Sequence, residues 1–140
     1  MPKRSALNFV IVDDDVSVSK LMAALLKKAG HKVTIFHDGE AALREIPEAM
    51  PDFISINTMM PGMGGLELLK ELRAIKVLDK TKIIMLSGKA YEFDRKRSMK
   101  FGADGFIAKP LNPDIFLDHV NRICADKVDV SFFGVRGTLP

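Results

Sequence analysis

The strongest constraint on the fold is a regular alternation between short apolar runs and amphipathic stretches. Five runs have the length of a buried strand, and they begin at Asn8, Val33, Phe53, Ile83 and Gly105. In the segments that follow them, apolar residues recur mostly at the three- and four-residue spacing of one helix face. This alternation predicts an α/β fold, in which a doubly wound parallel sheet of five strands carries five helices on its two faces.

Single residues predict where the helices begin and end. Asp15 is expected to cap the first helix and Gly30 to end it, while Pro47 is expected to close a short second helix. Asn112 and Pro113 are typical of the start of the last helix. The expected apolar faces consist of Val18, Leu21, Met22, Leu25, Leu26 and Ala29 in the first helix, and of Ile115, Phe116, His119, Val120, Ile123 and Cys124 in the last.

Composition excludes several classes of protein. With 47% apolar and 28% charged residues, the chain has the balance of a globular domain, and no apolar run approaches the roughly 20 residues of a membrane span. A single cysteine, Cys124, forms no internal disulfide, which favours a cytoplasmic location. A net charge of +3 is too weak to indicate nucleic-acid binding. Basic residues in the fourth helix are interpreted as a solvated face, because no aromatic set accompanies them: Arg95, Lys96, Arg97 and Lys100.

Polar residues follow four of the five predicted strands. Asp13 and Asp14 come after the first strand, Asn57 after the third, Ser87 after the fourth and Lys109 after the fifth. The carboxyl ends of parallel strands share one edge, where ligands bind in doubly wound sheets. Each residue has a simpler explanation as a helix cap or turn residue, so the order of the set carries the prediction. Neighbouring carboxylates repel one another, and either Mg²⁺ or the Lys109 ammonium would relieve this repulsion.

At these motifs the chain resembles the receiver domain of two-component response regulators, the CheY-like family. The resemblance runs from about Leu7 to Cys124. It implies the CheY/flavodoxin-like strand order 2-1-3-4-5 and a receiver domain at residues 1–125. The matching motifs are Val12-Asp13-Asp14-Asp15, Met60-Pro61-Gly62, Leu86-Ser87-Gly88 and the closing run from Gly102 to Lys109-Pro110.

One departure from the family pattern decides the predicted function. Asn57 stands where the family has the aspartate that accepts phosphate from a histidine kinase. An amide is a poor nucleophile and forms no stable acyl phosphate, so the chain is interpreted as a pseudo-receiver with a regulatory rather than an enzymatic role. The alternative is an ordinary phosphoaccepting receiver in which an experimenter replaced the aspartate. Gly64 also stands where the family usually has an acid, and a neutral turn substitution is the favoured explanation.

The resemblance also assigns roles to the remaining pocket residues. It implies that Asp14, Asn57 and the backbone carbonyl of Met59 would ligate Mg²⁺, weakly because Asn57 lacks a negative charge; no organic cofactor is expected. Lys109 would pair with a phosphoryl oxygen. Ser87 would turn its hydroxyl towards the phosphoryl group while Phe106 rotates inward.

The resemblance implies a protein partner. Its contact surface would be the fourth helix, the fifth strand and the fifth helix, and the partner a histidine kinase or an attached output domain. A homodimer is a further option, and no direct contact with nucleic acid or membrane is expected. As a minor alternative, Asp13 to Ser17 matches the Asp-x-Asp-x-Ser motif of haloacid-dehalogenase-type phosphatases, with Ser87 and Lys109 as their later motifs. The short chain and the lack of paired acids after Lys109 disfavour this alternative.

The last fifteen residues fit no part of the alternation. Val128, Val130 and Phe132 alternate with polar residues, as in a strand. The run from Phe133 to Pro140 resembles the start of metallo-β-lactamase-fold hydrolases. Residues 126–140 are therefore predicted to be either a linker or the first strand of a truncated following domain.

Overall fold

The predicted strands and helices form in the predicted order. The computed structural model describes residues 6–88, 91–109 and 112–124. The elements are β1 (Asn8–Val12), α1 (Val16–Lys28), β2 (Lys32–Phe36), α2 (Gly39–Ala49), β3 (Phe53–Asn57), α3 (Gly65–Arg73), a 3₁₀ turn (Lys76–Leu78), β4 (Lys82–Ser87), α4 (Tyr91–Lys100), β5 (Gly105–Ala108) and α5 (Pro113–Cys124). All strand pairs are parallel, and the order β2-β1-β3-β4-β5 confirms the predicted doubly wound sheet.

Both faces of the sheet are covered, which explains why its strands are apolar almost without interruption. Successive side chains of β1 point to opposite faces. Phe9 and Ile11 pack with α1 and α5, whereas Val10 and Val12 pack with α2 and α3. The helical side chains in these clusters include Met22, Leu26, Phe116 and Val120 on the first face, and Ala42, Ile46, Leu68, Leu69 and Leu72 on the second.

The predicted helix caps are confirmed. The Asp15 side chain accepts a hydrogen bond from the Val18 N–H at 3.1 Å. Asn112 accepts from the N–H groups of Asp114 and Ile115 at 3.0 and 3.1 Å. Gly30 follows α1 with φ of +98°, a backbone conformation that favours glycine.

The expected end of α2 at Pro47 is wrong, because the helix continues to Ala49. Proline lacks an N–H, so Pro47 removes only the hydrogen bond that this group would donate one turn back. The Met50 N–H donates to the Ile46 carbonyl at 3.0 Å and completes the last turn. The helix therefore continues for two residues beyond Pro47.

The expected apolar faces of α1 and α5 are rotated by about one residue. Leu21 is 43% exposed, and Ser19 takes part in the buried line of α1, its hydroxyl donating to the carbonyls of Asp15 and Val16. Ile115 is 50% exposed because Phe116 and Val120, four residues apart, occupy the buried line of α5. The buried residues of α1 are Ser19, Met22, Ala23 and Leu26.

Some predictions fall outside the described residues. Residues 126–140, with their predicted linker or strand, lie there, and so do Pro110 of the closing motif and the side chains of Ile123 and Cys124. The domain boundary near residue 125 stays a prediction.

Candidate functional site

The sheet brings the predicted polar residues to its carboxyl edge. Asp13 and Asp14 follow β1, Asn57 ends β3 and Lys109 follows β5. We term these four residues the carboxyl-end pocket. Two contacts hold them together: Lys109 Nζ lies 3.2 Å from an Asp13 carboxylate oxygen, and Asn57 Nδ2 lies 3.0 Å from an Asp14 carboxylate oxygen.

Asp13 is a buried carboxylate, with 1% of the residue exposed. One of its oxygens pairs with Lys109, and the other accepts from the Asp15 N–H at 2.9 Å. Burial raises the pKa of Asp13 above its ordinary value of 3.8, while the Asp15 hydrogen bond and Lys109 act in the opposite direction. His37 Nδ1 lies 2.9 Å from the Asp13 carbonyl oxygen, a contact that the sequence did not predict.

Asn57 directs its side-chain nitrogen into the pocket. Nδ2 donates to the Asp14 carboxylate at 3.0 Å and to the Met59 carbonyl at 2.9 Å. Both neighbours are acceptors, so the atom between them has to be the NH₂ group rather than the amide oxygen. The two protons of the amide are thereby directed at two oxygens that were predicted to bind a cation.

This arrangement does not fit Mg²⁺ as it stands. The three predicted ligands, Asp14, Asn57 and Met59, do lie together, but Asn57 presents hydrogen atoms to the oxygens of the other two. Mg²⁺ binds oxygen ligands at close to octahedral geometry, and an amide nitrogen provides none. Within the described ranges, no group of three or more His, Cys, Asp or Glu residues is placed to hold a metal ion.

The loop between β3 and α3 lies in direct contact with the backbone of Asn57. A β-carbon at Gly65 would overlap the Asn57 carbonyl oxygen, and the Gly65 N–H donates to the Thr58 carbonyl at 2.9 Å. Gly64 caps α3 without a side-chain hydrogen bond, and a β-carbon there would come no closer than 3.8 Å to the Thr58 carbonyl oxygen. Position 64 therefore has room for the acid that is usual in the resembled family, whereas position 65 requires glycine.

The two residues predicted to form the switch, Ser87 and Phe106, are both buried. Phe106 is fully buried, which corresponds to the inward orientation. The Ser87 hydroxyl instead donates to the Asp94 carboxylate of α4 at 2.7 Å. Asp94 was not among the residues predicted for the site.

An aromatic residue accompanies the basic face of α4, contrary to the sequence-based expectation. Phe93 is 59% exposed, and the Arg97 guanidinium lies 5.1 Å from its ring centre and 5.8 Å from that of Phe101. Lys70 of α3 lies 4.9 Å from the Phe101 ring centre. The four-residue spacing of Phe93, Arg97 and Phe101 places them on one helix face, and this was the signal in the sequence.

Comparison with known proteins gives one family. The model of the response regulator receiver domain matches residues 9–121. The alkaline phosphatase synthesis transcriptional regulatory protein PhoP of Bacillus subtilis (strain 168) is 36% identical over 104 residues, which is 74% of this chain and 42% of that protein. The transcriptional regulatory protein CpxR of Klebsiella pneumoniae subsp. pneumoniae (strain HS11286) is 37% identical over 103 residues, 74% of this chain and 43% of that protein. This chain thus spans less than half the length of these curated relatives.

Solved structures agree in fold. A putative response regulator from Chloroflexus aurantiacus J-10-fl has a TM-score of 0.81 and 29% identity, covering 86% of this chain and 99% of its own. The chemotaxis response regulator CheY4 of Vibrio cholerae has a TM-score of 0.80 and 29% identity, covering 85% of this chain and 99% of its own. Among the described residues, no helix combines the length and the apolar character that crossing a membrane requires. With its CheY-like strand order and a family match over most of its length, the chain belongs to the response regulator receiver domain family.

Proposed function

We propose that this chain is a receiver that does not accept phosphate, and that it acts as a regulatory protein-interaction module rather than as an enzyme. One observation carries the proposal: Asn57 Nδ2 donates to both the Asp14 carboxylate and the Met59 carbonyl. Phosphoryl transfer to a receiver requires an ionised carboxylate as nucleophile at this position. Here a neutral amide occupies it, and its protons are engaged with the neighbouring oxygens.

The same contacts support a pocket that is stable without a cation. In a receiver with aspartate at this position, three groups of oxygen acceptors would face one another and require a cation. The Asn57 amide supplies hydrogen-bond donors to the Asp14 and Met59 oxygens instead. We propose that Mg²⁺ binds weakly, because the amide has to turn over and lose both hydrogen bonds before its oxygen faces the ion. No organic cofactor belongs to the proposal.

For the partner we propose the surface of α4, β5 and α5. Phe93 of α4 is exposed beside Arg97, and Ile115 of α5 is half-exposed, so this surface offers apolar and cationic groups together. The partner is a histidine kinase, an attached output domain or, as a further option, a second copy of the chain. A net charge of +3 is too small to favour a nucleic acid as the partner. The cytoplasmic location rests on the single cysteine alone.

The test is exposure to acetyl phosphate with and without Mg²⁺, followed by intact-mass measurement. The unmodified chain is expected to gain no phosphate, and Asn57→Asp is expected to gain one in the presence of Mg²⁺. Asn112→Asp is the matched control, because it makes the same chemical change at an exposed helix cap where a carboxylate also accepts the Asp114 and Ile115 N–H groups. A phosphate mapped to Asn57 itself would contradict the proposal.

The same experiments bear on the alternatives. An ordinary receiver carrying an introduced asparagine predicts the same labelling of Asn57→Asp as the proposal does, whereas further loss of the site, for example through Gly64, predicts poor labelling. The phosphatase alternative needs Asp13 as nucleophile, yet this carboxylate is buried and paired with Lys109. Phosphatase activity that disappears in Asp13→Asn would favour that alternative.

A further inference from the structure

The fully buried residues of α4 are polar, unlike those of the neighbouring helix α3, and Met99 of α4 adds a partly buried apolar contact with the core. Asp94 and Ser98 are the buried residues of α4 within the described side chains, whereas α3 buries Leu68, Leu69 and Leu72. A buried carboxylate costs free energy unless hydrogen bonds compensate for its lost hydration. The attachment of α4 to the sheet therefore depends in part on how Asp94 is satisfied.

Asp94 is satisfied by the last residue of β4. Ser87 Oγ donates to its carboxylate at 2.7 Å, and the two residues are only 1% and 5% exposed. Hydrogen bonds to an ionised acceptor are shorter and stronger than those between neutral groups. This one joins the switch serine at the carboxyl end of β4 directly to the second turn of α4.

A hydroxyl has one proton to donate, so Ser87 serves either Asp94 or a group in the carboxyl-end pocket. We propose that Asp94 is a latch: it holds α4 on the sheet by keeping the Ser87 hydroxyl directed away from the pocket. When Ser87 turns towards the pocket, the Asp94 carboxylate loses its donor, and α4 has to shift to let water reach it. The orientation of Ser87 and the position of α4 thus form one two-state element.

The latch does not depend on which residue stands at position 57, because neither Ser87 nor Asp94 takes part in the contacts of Asn57. It also works in the reverse direction. A partner that binds exposed Phe93 and Arg97 more tightly when α4 has shifted would release Ser87 towards the pocket. A partner that prefers the latched position would hold Ser87 on Asp94.

The test is residue-resolved amide hydrogen exchange in Asp94→Ala, Ser87→Ala and the double variant. Asp94→Ala is expected to speed exchange in α4 at least about tenfold, because a hydrogen bond to a charged group is lost, while α3 stays within about twofold. The double variant is expected to exchange no faster than Asp94→Ala, since both changes remove one bond. Asp94→Asn keeps an acceptor for the Ser87 hydroxyl, so exchange in α4 is expected to stay slow in this variant. Ser98→Ala, on the same buried line, is the control without an effect.

A second readout separates a latch from simple structural support. The side-chain amide signals of Asn57 are expected to shift in Asp94→Ala, because the Ser87 hydroxyl no longer donates to Asp94 and turns towards the pocket, and to match Ser87→Ala in the double variant. Equal acceleration in α3 and α4, additive effects of the two single variants, or unchanged Asn57 signals in Asp94→Ala would each overturn the proposal. If Asp94→Ala does not fold, hydrogen exchange in α4 of the other two variants decides. It is expected to be fast in Ser87→Ala and slow in Asp94→Asn.

Discussion

Two polar clusters lie at opposite ends of the same sheet, and they are built in opposite ways. At the amino-terminal end, Arg73 of α3 donates three hydrogen bonds: to the Gly102 carbonyl at 2.8 Å, to the Leu78 carbonyl at 3.1 Å and to the Asp104 carboxylate at 2.7 Å. The same Asp104 oxygen accepts from the Ile83 N–H at 2.9 Å. We term Arg73 and Asp104 the amino-end clasp.

The clasp balances its charges, and the carboxyl-end pocket does not. In the clasp, one guanidinium meets one carboxylate and joins α3, the 3₁₀ turn, β4 and the residues before β5. In the pocket, the one ammonium pairs with the Asp13 carboxylate, and a neutral amide donates to the Asp14 carboxylate. From this difference we expect the clasp to stabilise the fold and the pocket to be sensitive to a change of a single charge.

Breaking the clasp is expected to have the largest effect. Arg73→Ala removes three hydrogen bonds and leaves the half-buried Asp104 carboxylate without its cation, so the free energy of unfolding falls by about 2–4 kcal/mol. Urea unfolding measures this loss, and Arg44→Ala on the exposed face of α2 is the matched control with little effect. If Arg73→Ala costs no more than Arg44→Ala, the clasp is not a structural joint.

Adding a charge to the pocket is expected to have the next effect. Asn57→Asp sets a third group of acceptors against Asp14 and the Met59 carbonyl without a donor, so stability without Mg²⁺ falls by about 1–2 kcal/mol. Mg²⁺ is expected to restore it, as measured by urea unfolding with and without the ion. Asn112→Asp adds the same charge at a helix cap and is expected to show no such Mg²⁺ dependence. Equal behaviour of the two variants would remove the contrast between pocket and surface.

Local rules predicted much of the fold. Asp15 and Asn112 cap their helices because the bonds involved join neighbours in sequence, and these positions were predicted correctly. Pro47 and Ile115 were not, because the last turn of α2 tolerates proline and because the packing of Phe116 sets the rotation of α5. The spacing of apolar residues predicts that a helix forms, but it predicts which side of the helix is buried only to within about one residue.

The site was predicted as a set of residues but not as a network. Strand order alone brings Asp13, Asp14, Asn57 and Lys109 to one edge of the sheet. Which atom Asn57 presents depends on the Met59 carbonyl, and the Ser87 hydroxyl depends on Asp94. These choices arise from tertiary contacts with neighbouring groups, so residue types and spacing did not predict them. The clasp was missed for the same reason, since Arg73 and Asp104 are 31 residues apart.

The contribution of the buried Asp13 carboxylate can be measured from the dependence of stability on pH. The folded chain holds the Asp13 proton to a higher pH than the unfolded chain, because burial raises the pKa above 3.8. Asp13 therefore makes the free energy of unfolding fall as pH rises from 3.8 to the folded pKa. Asp13→Asn is expected to remove this part of the slope, with a smaller effect than Asn57→Asp because Lys109 offsets part of the burial. Urea unfolding over this pH range measures it, and an unchanged slope would contradict it.

The smallest expected effect tests whether the loop beside the pocket is a helix cap or part of the charge balance. Gly64→Asp places a carboxylate at the cap of α3, where φ of −74° suits any residue and a β-carbon meets no close contact. A capping aspartate stabilises a helix over glycine by a few tenths of a kcal/mol, whereas alanine is worse than glycine. Gly64→Asp is therefore expected to gain about 0.3 kcal/mol in urea unfolding and Gly64→Ala to lose a similar amount. Because a capping carboxylate bonds to the first turn of α3, the Asn57 side-chain amide signals should stay in place. A loss of stability in Gly64→Asp together with a shift of those signals would mean that the new charge acts on Asp13 and Asp14, and that glycine at position 64 belongs to the same adaptation as asparagine at position 57.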